Sequence, residues 1–200
     1  QRFYSIRDSV DKTADIKDGP HGTFNQLLKL KKKYPHIKVL ISIGGWTGSS
    51  AFSDVSATPE ARQKFVQSCV ELYFQKHAGV FDGVDVDWEY PVDGGMRPGR
   101  PEDKQNYTLL LEEFRKQLDA QGQTDGGQQY LLTIAAPANQ KLMGFFELDR
   151  IVQYLDWINL MTYDFHGGWD KTTNFNAPLY MSSSDPSAPA IRHTYKVDAM

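Results

Sequence analysis

From Lys38 onward the chain alternates short apolar runs with longer amphipathic ones. Lys38-Val39-Leu40-Ile41-Ser42-Ile43, ending at Gly44-Gly45, predicts a buried strand. Thr58-Pro59-Glu60 offers an N-cap followed by proline at the first helical position. Phe65, Val66, Cys69, Val70, Tyr73 and Phe74 then recur at helical spacing, with Gly79 as the stop. Val80 to Trp88 predicts a second strand. Pro101-Glu102-Asp103 opens a second helix, with Leu110, Leu111, Phe114 and Leu118 inward and Gly122 just beyond its end. Tyr130 to Ala136 predicts the next strand, a shorter helix around Glu147 to Leu155 follows, and Trp157 to Tyr163 predicts the last. Upstream, a helix from Thr23 to Tyr34 is halted by Pro35, and the Gly/Pro/Ser-rich stretch from Ser182 to Pro189 reads as a surface loop.

Continuous apolar strands joined by helices indicate an α/β protein with a parallel sheet and right-handed crossovers. In such sheets, and in barrels made from them, chemistry gathers at the carboxyl ends of the strands. The polar signals obey that rule. Ser42-Ile43-Gly44-Gly45-Trp46, Asp87-Trp88-Glu89-Tyr90-Pro91 and Met161-Thr162-Tyr163-Asp164 all close a predicted strand, so one shared site is expected.

Composition narrows the functions. Two hundred residues suffice for one core, and 40% hydrophobic content suits a globular domain. A net charge of −3 gives no footprint for nucleic acid or an anionic membrane, and no apolar stretch is long enough to span one. Lys29, Lys31, Lys32 and Lys33 read as a solvated face that complements a helix dipole. Cys69 is the single cysteine, so it reads as a small buried hydrophobe rather than a nucleophile. The chain begins at Gln1 without a signal peptide, as expected of a processed or excised chain.

The second strand carries the chemistry. In Asp82-Gly83-Val84-Asp85-Val86-Asp87-Trp88-Glu89, alternation puts Asp85, Asp87 and Glu89 on one face and Val84, Val86 and Trp88 on the other. Burial and mutual repulsion both predict raised pKa values within this set. Calcium-loop spacing and its glycine are absent, so no metal and no cofactor are expected. Asp82 precedes the strand core and reads as a turn or cap. Trp46 and Tyr90, just past strand ends, read as substrate contacts, Trp88 and Trp157 as packing against helices, and Trp169 as open between the two. His166 has no partner visible in sequence and reads as structural, and His21, His36, His77 and His193 as surface residues.

These segments resemble the catalytic domain of glycoside hydrolase family 18, the chitinases. The family pattern Asp-Gly-x-Asp-x-Asp-x-Glu is matched at Asp82, Gly83, Asp85, Asp87 and Glu89. Ser42 to Gly45 is similar to its Ser-x-Gly-Gly segment, and Met161 to Asp164 to its Met-x-Tyr-Asp segment. The resemblance implies a TIM (β/α)8 barrel, with residues 1–200 part of a single catalytic domain covering strands three to six. It follows that the chain is expected to be a fragment of a longer enzyme.

Glycosidic cleavage needs an acid on the leaving oxygen and stabilisation of a positive anomeric carbon. Glu89, nearest the carboxyl end, is the natural acid, its pKa raised by a neighbouring carboxylate. Asp87 on the same strand is no obvious opposed nucleophile. The resemblance implies that the substrate's own N-acetyl oxygen attacks, with retention. Asp87 would then orient the acetamido N–H, Asp85 would share a proton and hydrogen bonds with Asp87, and Tyr163 would bind the acetyl oxygen. Met161 and Asp164 would shape that pocket and Ser42 would support the aspartate pair, and these three join Trp46, Tyr90 and Gly45 in the substrate-binding set. The implied partner is chitin or N-acetylglucosamine oligosaccharides, with an extracellular location and a monomeric full-length enzyme. The alternatives are a chitin-binding lectin of the same fold, which typically lacks the acid, an endo-β-N-acetylglucosaminidase or a peptidoglycan hydrolase.

Overall fold

The computed structural model describes residues 20–194 together with 196 and 197. Leu40–Gly44 (β1), Gly83–Asp87 (β2), Leu131–Pro137 (β3) and Trp157–Met161 (β4) form one parallel sheet whose spatial order is the chain order. Helix α1 (Thr23–Lys33) precedes the sheet, and α2 (Phe52–Ser56) and α3 (Pro59–Val70) join β1 to β2. Helix α4 (Asp103–Thr124) joins β2 to β3, the short α5 (Gln140–Met143) and α6 (Leu148–Ile151) join β3 to β4, and α7 (Pro189–Thr194) follows β4. A doubly wound sheet reverses its strand order at a switch point. Here every step runs the same way, which is the arrangement of a (β/α) barrel.

Period-two alternation divides the sheet into two chemistries. Val84, Val86 and Trp88 turn back with Leu132, Ile134 and Ala136 onto Val66, Cys69 and Val70 of α3 and Leu110, Leu111, Phe114 and Leu118 of α4. All of these side chains are buried. Trp88 stacks on Phe52 at 5.3 Å and meets Tyr107 edge-on, so it packs against helices as its parity predicts. Cys69 is buried within this layer, and burial pushes its thiol up to about 11, which leaves it unreactive. Ser42, Asp85, Asp87, Thr133 and Asn159 face the other way.

Two aspartates pin the opposite ends of the strands. Asp82 donates its N–H to the Val39 carbonyl at 2.6 Å while its Oδ2 accepts the Val39 N–H at 2.8 Å. Asp156 repeats the device with Leu132, at 2.9 and 2.8 Å. Asp82 therefore has the capping role expected of it. Lys31 reaches the same carboxylate at 3.0 Å and also donates to the Gly79 carbonyl. It does not belong to the solvated lysine face, because its stem spans to a buried carboxylate that needs a counter-charge.

Other departures have local causes. Gly122 lies inside α4, where an added Cβ would meet the Gln128 carbonyl at 2.1 Å, so glycine admits the returning chain. The positive φ angles that end the helix belong to Gly126 and Gly127. The predicted Thr58 cap on α3 holds, accepting the Ala61 N–H, but past Val70 the helix widens into a π-helical stretch, Glu71–Lys76, before Gly79. Of the helix expected over Glu147 to Leu155, only Leu148–Ile151 is regular. Trp157 does not pack on helices. It opens β4 in phase with Asn159, to which its Nε1 donates at 3.0 Å, and it stays 45% exposed. His77 is partly buried, edge-on to the Phe24 ring, and that desolvation lowers its pKa. The side chain of His193 lies outside the described residues.

Candidate active site

Side chains from within the other three strands converge on Asp85, at the middle of β2. From β1 the Ser42 hydroxyl donates to Asp85 Oδ2 at 3.0 Å. From β3 the Thr133 hydroxyl donates to Oδ1 at 2.6 Å, and from β4 the Asn159 amide donates to the same oxygen at 3.1 Å. The parallel register makes this possible, because Ser42 lies opposite Asp85 and Asp85 opposite Thr133. One carboxylate thus fastens four strands on the polar face. Ser42 bonds Asp85 and does not line the cleft, so it is not placed to touch a substrate as its inclusion in the substrate-binding set expected, because its hydroxyl is spent within the sheet.

Asp87, one pleat further along, is treated oppositely. The hydrogen bond expected between Asp85 and Asp87 is not formed: both Asp85 oxygens are taken by Ser42, Thr133 and Asn159, and Asp87 Oδ1 is buried without a hydrogen-bond partner among the described residues. Desolvation first, then the charges of Glu89 and Asp85, push its carboxyl up to about 6. Gly45 lies alongside, 3.6 Å from Asp87 Oδ2 to the position a Cβ would take, with a φ of +83° that disfavours other residues. Asp87 is therefore poised to exchange a proton near neutrality.

Glu89 sits beyond the strand end and is also held protonated to higher pH. Burial is the main cause, and among charges Asp164 acts on it. The neighbour that raises it thus comes from the end of β4, since Asp164 faces it across the cleft. The Tyr90 hydroxyl and the Trp46 backbone N–H bond the Glu89 carboxylate and oppose the rise. Burial and the Glu89 charge raise the Tyr90 phenol in turn.

The carboxylates open into a cleft of about 690 Å³. Asp87 and Glu89 line one side, and Met161, Tyr163 and Asp164 another. Trp46, Tyr90 and Trp169 supply aromatic surface, and Trp46 and Trp169 are 49% and 67% exposed. The Tyr163 phenol is raised by burial and then by Asp87, Glu89, Asp164 and Asp85, which places it among all four carboxylates. Asp164 has a φ of 57°, and Asn176 clamps it: the amide donates to Asp164 Oδ1 at 2.9 Å while its oxygen accepts the Asp164 N–H. His166 is buried within the same loop beside Asp170 and Asn174, in keeping with a structural part.

The sequence reading therefore places its residues together, with Ser42 and Asp85 beneath the cleft and the others around it. It missed Thr133 and Asn159, which the strand parity marks as polar residues on the acidic face of apolar runs. It also missed Ser49, Asn176 and the Asn139 and Leu142 pair on the cleft wall, which lie in loops or in single-turn helices too short for periodicity to mark.

The family model of glycosyl hydrolases family 18 matches residues 2–200, and the chain belongs to that family. It is 52% identical over 180 residues to chitinase A1 of Niallia circulans, covering 88% of this chain and 25% of that protein. The solved chitinase ChiA74 from Bacillus thuringiensis superposes with a TM-score of 0.80 at 50% identity, over 90% of this chain and 28% of that one. The group II chitinase catalytic domain 2 of Ostrinia furnacalis, solved in complex with penta-N-acetylchitooctaose, superposes with a TM-score of 0.72 at 33% identity, over 88% and 43%. The chain spans about a quarter of the length of the curated chitinase A1 that it matches. Its sheet is part of the TIM barrel of this family.

Proposed function

We propose that the protein is a retaining chitinase that cleaves β-1,4 bonds between N-acetylglucosamine units, with residues 1–200 contributing part of one catalytic domain. The observation that carries this reading is the pairing of Glu89 with Asp87, two neighbouring carboxyls both shifted toward neutrality. Glu89, held protonated by burial, gives its proton to the leaving oxygen. Asp87 leaves the same strand two residues earlier, so it approaches the sugar from the acid's own side. Attack from the opposite side then falls to the substrate's N-acetyl oxygen. Asp87 steadies the acetamido N–H as charge develops, Asp85 anchors Asp87's strand, and the Tyr163 hydroxyl bonds the acetyl oxygen. Trp46 and Tyr90 give the sugar apolar faces, and Met161, Asp164 and Gly45 complete the pocket.

Glu89 itself favours an enzyme over a lectin of the same fold, because a binding protein has no use for a desolvated acid. Chitin is an insoluble polymer outside cells, so the enzyme acts there. The test is Glu89→Gln in the full-length enzyme with soluble N-acetylated oligomers. Turnover falls by about 10² to 10⁴ while oligomer binding persists. Undiminished turnover would refute the assignment, and equal cleavage of oligomers lacking the acetyl group would remove the substrate-assisted step.

A further inference from the structure

The β1–β2 ladder stops one turn short of the acid. Its last paired residues are Gly44 and Asp87, and the Gly45 N–H adds a final bond to the Asp87 carbonyl at 2.8 Å. Glu89 lies two residues past that point, where no strand remains to receive its N–H. The Ser49 hydroxyl takes the place of the missing rung. Its oxygen accepts the Glu89 N–H at 2.9 Å and lies 2.8 Å from the Gly45 carbonyl and 3.1 Å from the Asp87 carbonyl. One hydroxyl proton serves one of these carbonyls at a time, so the group accepts from Glu89 while tying down either the Gly45 or the Asp87 end of the junction.

Ser49 is placed there by its own turn. Gly48 donates to the Gly45 carbonyl at 3.0 Å, and a Cβ on Gly48 would come within 2.2 Å of the Gly44 carbonyl. That close approach swings Ser49 back over the end of β2 as it opens the 3-10 turn Ser49–Ala51. Phe52 follows directly and stacks on Trp88, between Asp87 and Glu89 in the chain. Ser49 is 7% exposed, so water has little access to replace the hydroxyl if it is removed.

We propose that Ser49 is a positioning residue for the hydrolysis, fixing the backbone of Glu89 relative to Asp87 and to the Trp46 loop. This rests on the reading of Glu89 as the acid. The hydroxyl acts through Glu89, and displacement of a reacting group by about 1 Å costs on the order of 10²-fold in rate.

The experiment compares Ser49→Ala, Ser49→Thr and Ser49→Cys with the parent in the full-length enzyme, rates being normalised to folded protein. Ser49→Ala lowers kcat by about 10- to 100-fold with KM within about threefold of the parent. Ser49→Thr, which keeps the hydroxyl, recovers most of kcat. Loosening also admits water to Glu89, so the alkaline limb of the pH–rate profile moves to lower pH in Ser49→Ala. If Ser49→Ala does not accumulate, Ser49→Cys reads the same quantity through its weaker hydrogen bonds and gives an intermediate kcat. Parental kcat in Ser49→Ala or Ser49→Cys, or a threonine variant no better than alanine, overturns the proposal. Glu89→Gln run alongside separates the failures: if it keeps full turnover, the acid assignment fails, and if it loses turnover while Ser49→Ala does not, only the positioning role fails.

Discussion

Thr133 donates its hydroxyl proton to Asp85 at 2.6 Å from the neighbouring strand, on an oxygen that also accepts from Asn159. Asp85 accepts from donors on three other strands, whereas Asp87 two residues later has a buried oxygen with none among the described residues. The contrast divides one acidic strand into a carboxylate tied into the sheet and one left unpaired at the cleft.

Thr133→Val keeps the β-branched shape and removes that donor. Thr133 is fully buried, so the loss costs about 1–3 kcal/mol. The melting temperature of the full-length enzyme falls by a few degrees, at about 2–4 °C per kcal/mol for a domain of this size. A melt within one degree of the parent would show that the bond carries no weight.

Asp87→Asn changes how stability depends on pH. The native carboxyl is held at about 6 against an ordinary 3.8, so the native state binds this proton more tightly than the unfolded chain. Its contribution is complete below about pH 4 and is lost as pH rises through 6. The group is half-buried, and screening by solvent reduces the effect to on the order of 1 kcal/mol. Asparagine removes the titration, so the variant melts about 2–4 °C above the parent at pH 7.5 and no higher at pH 4. Parallel melting curves across that range would contradict the assignment.

The same pair governs the rate. Under the proposed mechanism kcat/KM is bell-shaped, with an acidic limb near 6 where Asp87 loses its charge and an alkaline limb where Glu89 loses its proton. These are apparent values of a coupled pair. Asp87→Asn lowers turnover sharply, and its residual activity lacks the acidic limb. Persistence of that limb would assign it to another group.

Asp82 belongs to the same sequence motif and behaves differently. Asp82→Ala strips the Val39 N–H and Lys31 of their carboxylate at the far end of β2. Stability drops by about 1–3 kcal/mol while kcat stays at the parental value, as a melt and a steady-state assay on one preparation would establish. A tenfold loss of kcat with an unchanged melt would reverse the roles.

The parallel sheet was legible because β2 and β3 are apolar on the side that meets helices, and a period of two exposes their parity without any tertiary information. The same parity sorted Asp85, Asp87 and Glu89 from Val84, Val86 and Trp88. It also puts Trp157 on the polar face with Asn159, and the expectation that it packs against helices rests on its apolar character instead. The loops were opaque for a different reason. Ser49 and Asn176 act through backbone groups of distant segments, and Asp164 reaches Glu89 only after β4 is laid beside β3. Gly122 misled because glycine serves close approach inside a helix as well as termination after one.

The ring stack behind the carboxylates has an optical consequence. Trp88 is 2% exposed between Phe52 and Tyr107, while Trp46 and Trp169 stand in solvent on the cleft. The chain therefore carries one buried indole at the back of the acidic strand, expected to emit to the blue, and three quencher-accessible ones, Trp46 and Trp169 at the cleft and Trp157 at the start of β4. Under the proposed function a sugar entering the cleft shields Trp46 and Trp169 without disturbing Trp88, so occupancy and strand integrity are readable as separate colours in one unlabelled sample, over a constant background from Trp157.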